Sequence, residues 1–92
     1  MDKTAIRQYL VMSAAETERP IQRMKGNELP TGYFIKAPGH TYETAREATA
    51  ARDALDELVE ECYFRQIGSN FYLTSDGYDY ADELRARSPS TD

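Results

Sequence analysis

Between Leu55 and Gly77 the spacing of apolar positions changes twice within the run LDELVEECYFRQIGSNFYLTSDG. Leu55, Leu58, Val59 and Cys62 recur at i, i+3, i+4 and i+7, which places them on one side of a helix. Two short aromatic and β-branched runs follow, Phe64-Arg65-Gln66-Ile67 and Phe71-Tyr72-Leu73, separated by Gly-Ser-Asn. This spacing predicts a hairpin with Gly68-Ser69 as its turn, Gly68 supplying the positive φ that such a turn demands. In that register Phe64 faces Leu73 and Gln66 faces Phe71, leaving Arg65, Ile67 and Tyr72 on the other side. Thr74 or Ser75 then caps a new helix with Asp76 in its first turn.

Upstream, Asp2 is placed to cap a first helix carrying Ile6, Tyr9, Leu10, Ser13 and Thr17 along one side, and Pro20 stops it. The segment from Pro20 to Asn27 is basic and ends in Gly-Asn, so it reads as a loop, a turn or one short helical turn. Tyr33 to Lys36 is a strand candidate closed by Pro38-Gly39 and supplies a third strand for the sheet. From Thr41 to about Glu61 no Gly or Pro interrupts a run of strong helix formers. Ala45, Ala48, Ala51, Leu55, Leu58 and Cys62 mark its apolar stripe. The last helix, from about Ser75 to Arg87, carries Tyr78, Ala81 and Leu84 on one side. Residues 88–92 are expected to form a disordered tail. The expected architecture is a single α+β domain over residues 1–87, with about three helices and a small antiparallel sheet. Ile6, Leu10, Leu55, Leu58, Phe64, Leu73 and Leu84 form its expected core.

Charge changes the picture more by its distribution than by its total of −5. Residues 1–40 carry six Lys/Arg against four acids, whereas residues 41–92 carry five Arg against twelve acids. An acidic half opposes nonspecific affinity for nucleic acid, so any DNA contact must use local arginines. The opening Met1-Asp2-Lys3 starts no signal peptide, no apolar run is long enough to cross a bilayer, and one cysteine forms no internal disulfide. A cytoplasmic protein without membrane partners is expected.

Catalysis has little support. His40 follows Pro38-Gly39 in a loop, Cys62 lies on the apolar stripe without a CxxC partner, and Asp76, Asp79 and Asp82 read as a solvated helix side. Neither a metal site nor a cofactor site is expected. The tyrosines are too many for full burial in so small a domain, and tyrosine forms protein interfaces well. Tyr72 with Ile67, on the outer side of the hairpin, is the pair best placed for contact.

The stretch ALDELVEECYFRQIGSNFYLTSDGYDYADEL resembles the second half of winged helix-turn-helix domains, as found in many bacterial transcription regulators. Leu55 and Leu58, Tyr63-Phe64, Phe71-Tyr72-Leu73-Thr74 and Gly77 carry the likeness. Cys62 stands where the family pattern has Gly, and no turn residue divides Thr41 to Glu61 into two helices. The resemblance implies a winged-helix-like fold with the hairpin as its wing, and binding of double-stranded DNA. It points to Arg46, Thr49 and Arg52 on the long helix and Arg65 on the wing, with Arg23 and Lys25 as phosphate contacts. It also implies a homodimer through the first and last helices, with Tyr9, Tyr78, Tyr80 and Leu84 contributing. The alternative is a protein-interaction or dimerisation module on the same scaffold, without DNA binding.

Overall fold

The computed structural model describes residues 3–87 of the chain, so the expected Asp2 cap and the 88–92 tail lie outside the described residues. Helix α1 spans Lys3–Thr17 and buries Ile6, Leu10, Val11 and Ala14. The buried side is rotated from the expected one, with Tyr9 and Ser13 half-buried at its margin and Thr17 exposed. Glu18 leaves the helix at φ 56, its N–H still held by the Ala14 carbonyl, and the chain then turns into a strand at Ile21.

That strand, β1 (Ile21–Lys25), replaces the expected loop or helical turn. It pairs antiparallel with β2 (Tyr33–Ala37) on one side and β5 (Asn70–Leu73) on the other. Its cause is therefore tertiary, because backbone partners on both sides outweigh the weak β preference of Ile-Gln-Arg-Met-Lys. Pro38-Gly39 ends β2 as expected and also turns the chain into an unexpected further strand, β3 (His40–Tyr42), with Gly39 at φ 85. Thr41 and Tyr42 thus belong to the sheet rather than to the long helix.

Helix α2 spans Ala45–Glu60 and begins at Thr44, whose Oγ1 accepts the Glu47 N–H at 3.1 Å. Ala48, Ala51, Ala54, Leu55 and Leu58 are buried along it, while Ala45 and Cys62 are exposed. The helix ends when Cys62 N–H bonds the Val59 carbonyl and Tyr63 N–H reaches back to the Leu58 carbonyl. This pair of bonds is the Schellman pattern, and it needs a left-handed residue at the position Cys62 occupies. Cys62 adopts that conformation at φ 67, so a cysteine does what glycine usually does there.

Strands β4 (Phe64–Ile67) and β5 form the hairpin in the expected register, Phe64 opposite Leu73 and Gln66 opposite Phe71, with Gly68 at φ 63. Helix α3 (Ser75–Arg87) starts at Thr74, whose Oγ1 accepts the Gly77 N–H at 3.0 Å and donates to the Cys62 carbonyl at 2.6 Å. One side chain thereby ties the end of α2 to the start of α3. The buried side of α3 is Gly77, Ala81 and Leu84; Tyr78, expected on that side with Ala81 and Leu84, is instead 40% exposed.

The five strands form one antiparallel sheet in the order β3-β2-β1-β5-β4. All three helices pack on one side of it, and Ile21, Ile35, Tyr42, Phe64 and Phe71 point from the sheet into the same core as Ile6, Leu10, Leu55 and Leu58. The α+β class holds, whereas Leu73 is only half-buried. Between α1 and α2 the described residues hold three strands and no second helix.

An ion-pair clamp joins α1 to α2. Arg7 grips Glu61 with two hydrogen bonds, at 2.7 and 2.9 Å, and reaches Glu57 at 2.8 Å, while Lys3 also bonds Glu57. The Lys3 hydrogen bond, with Arg7 behind it, holds the Glu57 carboxyl below its ordinary range. A carboxyl lowered on folding adds stability above its unfolded pKa of about 4.3, and that share is lost as pH falls through the folded value. Thermal melts from pH 7 down to pH 3 should therefore show a steeper acid loss for the wild type than for Glu57→Gln. Parallel curves would show that the clamp contributes nothing to the pH dependence.

Candidate functional site

Alternation along the strands decides what the helix-free side of the sheet carries. Residues that alternate with the core positions are Gln22 and Met24 on β1, Phe34 and Lys36 on β2, and Thr41 on β3. Arg65 and Ile67 on β4 and Asn70 and Tyr72 on β5 complete the set. No described helix covers this side, and Phe34 is half-buried there. Ile67 is 55% exposed, Met24 41% and Tyr72 40%, three of the four large apolar side chains so exposed among the described residues, the fourth being Tyr78 on α3.

The register fixes how these groups sit together. Lys36 lies opposite Gln22, Gln22 opposite Asn70, and Asn70 opposite Ile67, making one row across four strands. The Gln22 amide donates to Asn70 Oδ1 at 3.3 Å, and the Asn70 amide donates to the Tyr72 hydroxyl at 3.3 Å. Those bonds hold the polar middle of the face in place and orient Tyr72 beside Arg65, its direct cross-strand partner. At the β1–β2 end lies an open recess of about 210 Å³ lined by Arg19, Pro20, Gln22, Lys36, Ala37 and Pro38.

Charge is segregated by element. The strands contain Arg23, Lys25, Lys36 and Arg65 and no acid. Helices α2 and α3 contain Glu47, Asp53, Asp56, Glu57, Glu60, Asp76, Asp79, Asp82 and Glu83 against four arginines. A screening length of about 8 Å at physiological salt keeps the acidic helix surface from cancelling the field over the far side of the sheet.

The residues expected to contact DNA do not converge. Arg46 and Thr49 are exposed on α2, and Arg52 lies over the Tyr33 ring at 5.5 Å. Arg65 points to the opposite side of the sheet, while Arg23 lies across from buried Ile35 and so on the helix side, with Lys25 two residues further along. Asp53, Asp56 and Glu60 continue the exposed surface of α2, where they would repel phosphate.

Most residues expected at a dimer interface are engaged within the chain. The Tyr9 hydroxyl donates to the Pro38 carbonyl at 2.7 Å, Tyr80 stacks on Tyr63 at 4.5 Å, and Leu84 is buried against the core. Only Tyr78 on α3 and Tyr72 on the sheet remain exposed.

Tyr42 is fully buried beside Tyr9 and His40, and its hydroxyl finds no hydrogen-bond partner among the described residues. Burial, reinforced by the charges of Tyr9 and Glu47, pushes its pKa up to about 12, so it remains a neutral packing group. The Asp76, Asp79 and Asp82 side chains are exposed on α3, and no group of three His, Cys, Asp or Glu converges on a metal position among the described residues. Among the described helices none is long and apolar enough to cross a membrane.

Sequence reasoning located Tyr72, Ile67 and Arg65 on this side of the sheet but missed Met24, Phe34, Lys36 and Arg19. The signal for them was the two-residue alternation within Ile21–Lys25 and Tyr33–Ala37, legible only once β1 is taken as a strand. No family model, no curated protein and no solved structure matches the chain.

Proposed function

We propose that this chain is a non-catalytic binding module that docks a protein segment on the open side of its sheet. The observation that carries this reading is the acid-free open side of the sheet, where exposed Met24 beside half-buried Phe34, and exposed Ile67 and Tyr72 on the β4–β5 hairpin, are set among Lys36, Gln22, Asn70 and Arg65. Exposed apolar groups gathered on one side of a sheet and rimmed by polar ones mark interaction sites more often than bare solvent faces. The Gln22–Asn70–Tyr72 hydrogen bonds reduce the ordering cost of a partner's arrival by fixing three of the contact side chains beforehand.

A second reading, a DNA-binding regulator of winged-helix type, draws on the order α2, hairpin, α3 and on the pairing of β5 with β1. In that reading Arg46 and Thr49 enter a groove and Arg65 holds a phosphate. The acids further along α2 and the three strands where a supporting helix would stand weigh against it.

Site-specific photocross-linking separates the two. A benzophenone amino acid is placed at Tyr72, at Thr49 or at Asp79 in the full chain, and each variant is irradiated in the cells that make it. Protein adducts should form from position 72 and be absent from position 79, with the cross-linked peptide mapped by mass spectrometry. DNA adducts from position 49, without protein adducts from 72, would establish the regulator reading instead.

A further inference from the structure

We infer that the segment docked on the sheet is acidic with apolar anchors, and that one of its carboxylates sits between Arg19 and Lys36. The inference rests on the open side of the sheet being a docking surface, and it names what that surface selects. Arg19 and Lys36 both line the 210 Å³ recess, and neither forms an ion pair among the described residues. No acid lines it, and Gln22 adds an amide from its floor. By contrast, Lys3, Arg7, Arg85 and Arg87 each have a carboxylate partner within the chain. The cations left without partners therefore include those that a ligand on this side of the sheet would meet.

The spacing of charges sets the length of the occupant. Lys36 on β2 lies in register with Ile67, two residues from Arg65 on β4, so three strand steps of about 4.8 Å and an offset of two residues along the strand put the two cations roughly 16 Å apart. An extended peptide advances about 3.3 Å per residue, so carboxylates about five residues apart reach both cations. Between them the peptide crosses Gln22, Asn70 and Tyr72, where an apolar side chain can lie against the ring. Arg suits a carboxylate through its planar fork, and Lys adds a point charge that tolerates some displacement of it.

Other occupants fit less well. A two-fold related copy docked through this side would set its acid-free, cationic surface against the same surface of its partner. A copy docked by its acidic helices would make a head-to-tail contact, which closes only where the rotation between subunits completes a ring. A single nucleic-acid strand gains its affinity from rings stacked under successive bases, and Ile67 and Met24, the two most exposed apolar groups on this side, have none.

The test uses random twelve-residue peptides displayed on phage and selected against the immobilised full chain. Enriched peptides are then synthesised and titrated against wild type, Lys36→Glu and Met24→Ser, with melting curves confirming that the exposed substitutions leave the fold intact. The enriched set should combine Asp or Glu with aliphatic or aromatic residues, with acids recurring about five apart. Lys36→Glu should weaken binding tenfold or more, as should replacing the peptide acids by Asn and Gln. Neutral or basic enriched peptides, no enrichment, or equal binding to Lys36→Glu would overturn the inference. So would saturable binding of a twelve-nucleotide thymidine strand that is lost in the same variants. If the position-72 cross-links to protein persist while the selected peptides lack acids, only the acidic partner falls. If both fail, the docking surface falls with it.

Discussion

Leu58→Ala is expected to lower the unfolding free energy by about 2–5 kcal/mol, the range for a buried leucine whose site relaxes only in part. Leu58 is fully buried on α2, in the cluster that joins that helix to α1 and to the sheet. Its neighbours come from separate elements, each fixed by its own hydrogen bonds, so they cannot close the gap by a simple shift. A small domain holds roughly 5–15 kcal/mol in total, so the variant should unfold at a distinctly lower urea concentration with an unchanged slope. Ile67→Ala, at a side chain 55% exposed, should move the midpoint very little and serves as the matched control. An unchanged midpoint for Leu58→Ala would show that the α2 stripe does not face the core.

The same contrast between local and distant causes explains which parts of the fold were legible in the sequence. The β4–β5 hairpin and its register follow from neighbouring residues, Gly68 at the turn and alternation on both sides, and the structure pairs Phe64 with Leu73 as that alternation requires. Helix α3 likewise announces itself through Thr74 and the acid at position 76. β1 announces nothing, because only Ile21 of its five residues is buried and its stability comes from β2 and β5, whose paired residues lie from 8 to 50 positions away along the chain. β3 was hidden for a similar reason. Tyr42 reads as the beginning of a helix-forming run, yet its pairing with Ile35 draws it into the core. The candidate surface was visible only where it coincides with the hairpin, at Arg65, Ile67 and Tyr72; its remaining half depends on β1 and β2 being neighbours.

Cys62 shows a local rule satisfied by an unexpected residue. Helical periodicity places it on the apolar stripe, but the helix ends at Glu60 and Cys62 turns outward in the left-handed conformation. The periodicity had continued past the point at which the Schellman bonds stop the helix.

Gly77→Ala is the substitution for which helix propensity and packing predict opposite signs. Replacing a glycine inside a helix by alanine ordinarily stabilises by about 1 kcal/mol, because less backbone entropy is lost on folding. At Gly77, however, an added Cβ would lie 2.3 Å from the Tyr63 carbonyl oxygen and 2.6 Å from Leu73 Cδ1. The leucine side chain could yield, but the carbonyl could not easily do so, since it accepts the Thr74 N–H at 3.0 Å and so anchors the strand that leads into α3. Relief would require α3 to lift from the hairpin, straining the Thr74 bonds to Gly77 and Cys62 that join the two helices. Overpacking of this kind costs about 1–3 kcal/mol, enough to exceed the propensity gain. Urea unfolding should therefore show Gly77→Ala less stable than wild type, while Gly77→Ser should fall at least as far because it carries the same Cβ and an added oxygen. A more stable Gly77→Ala protein would mean that α3 stands farther from Tyr63 than this close approach implies.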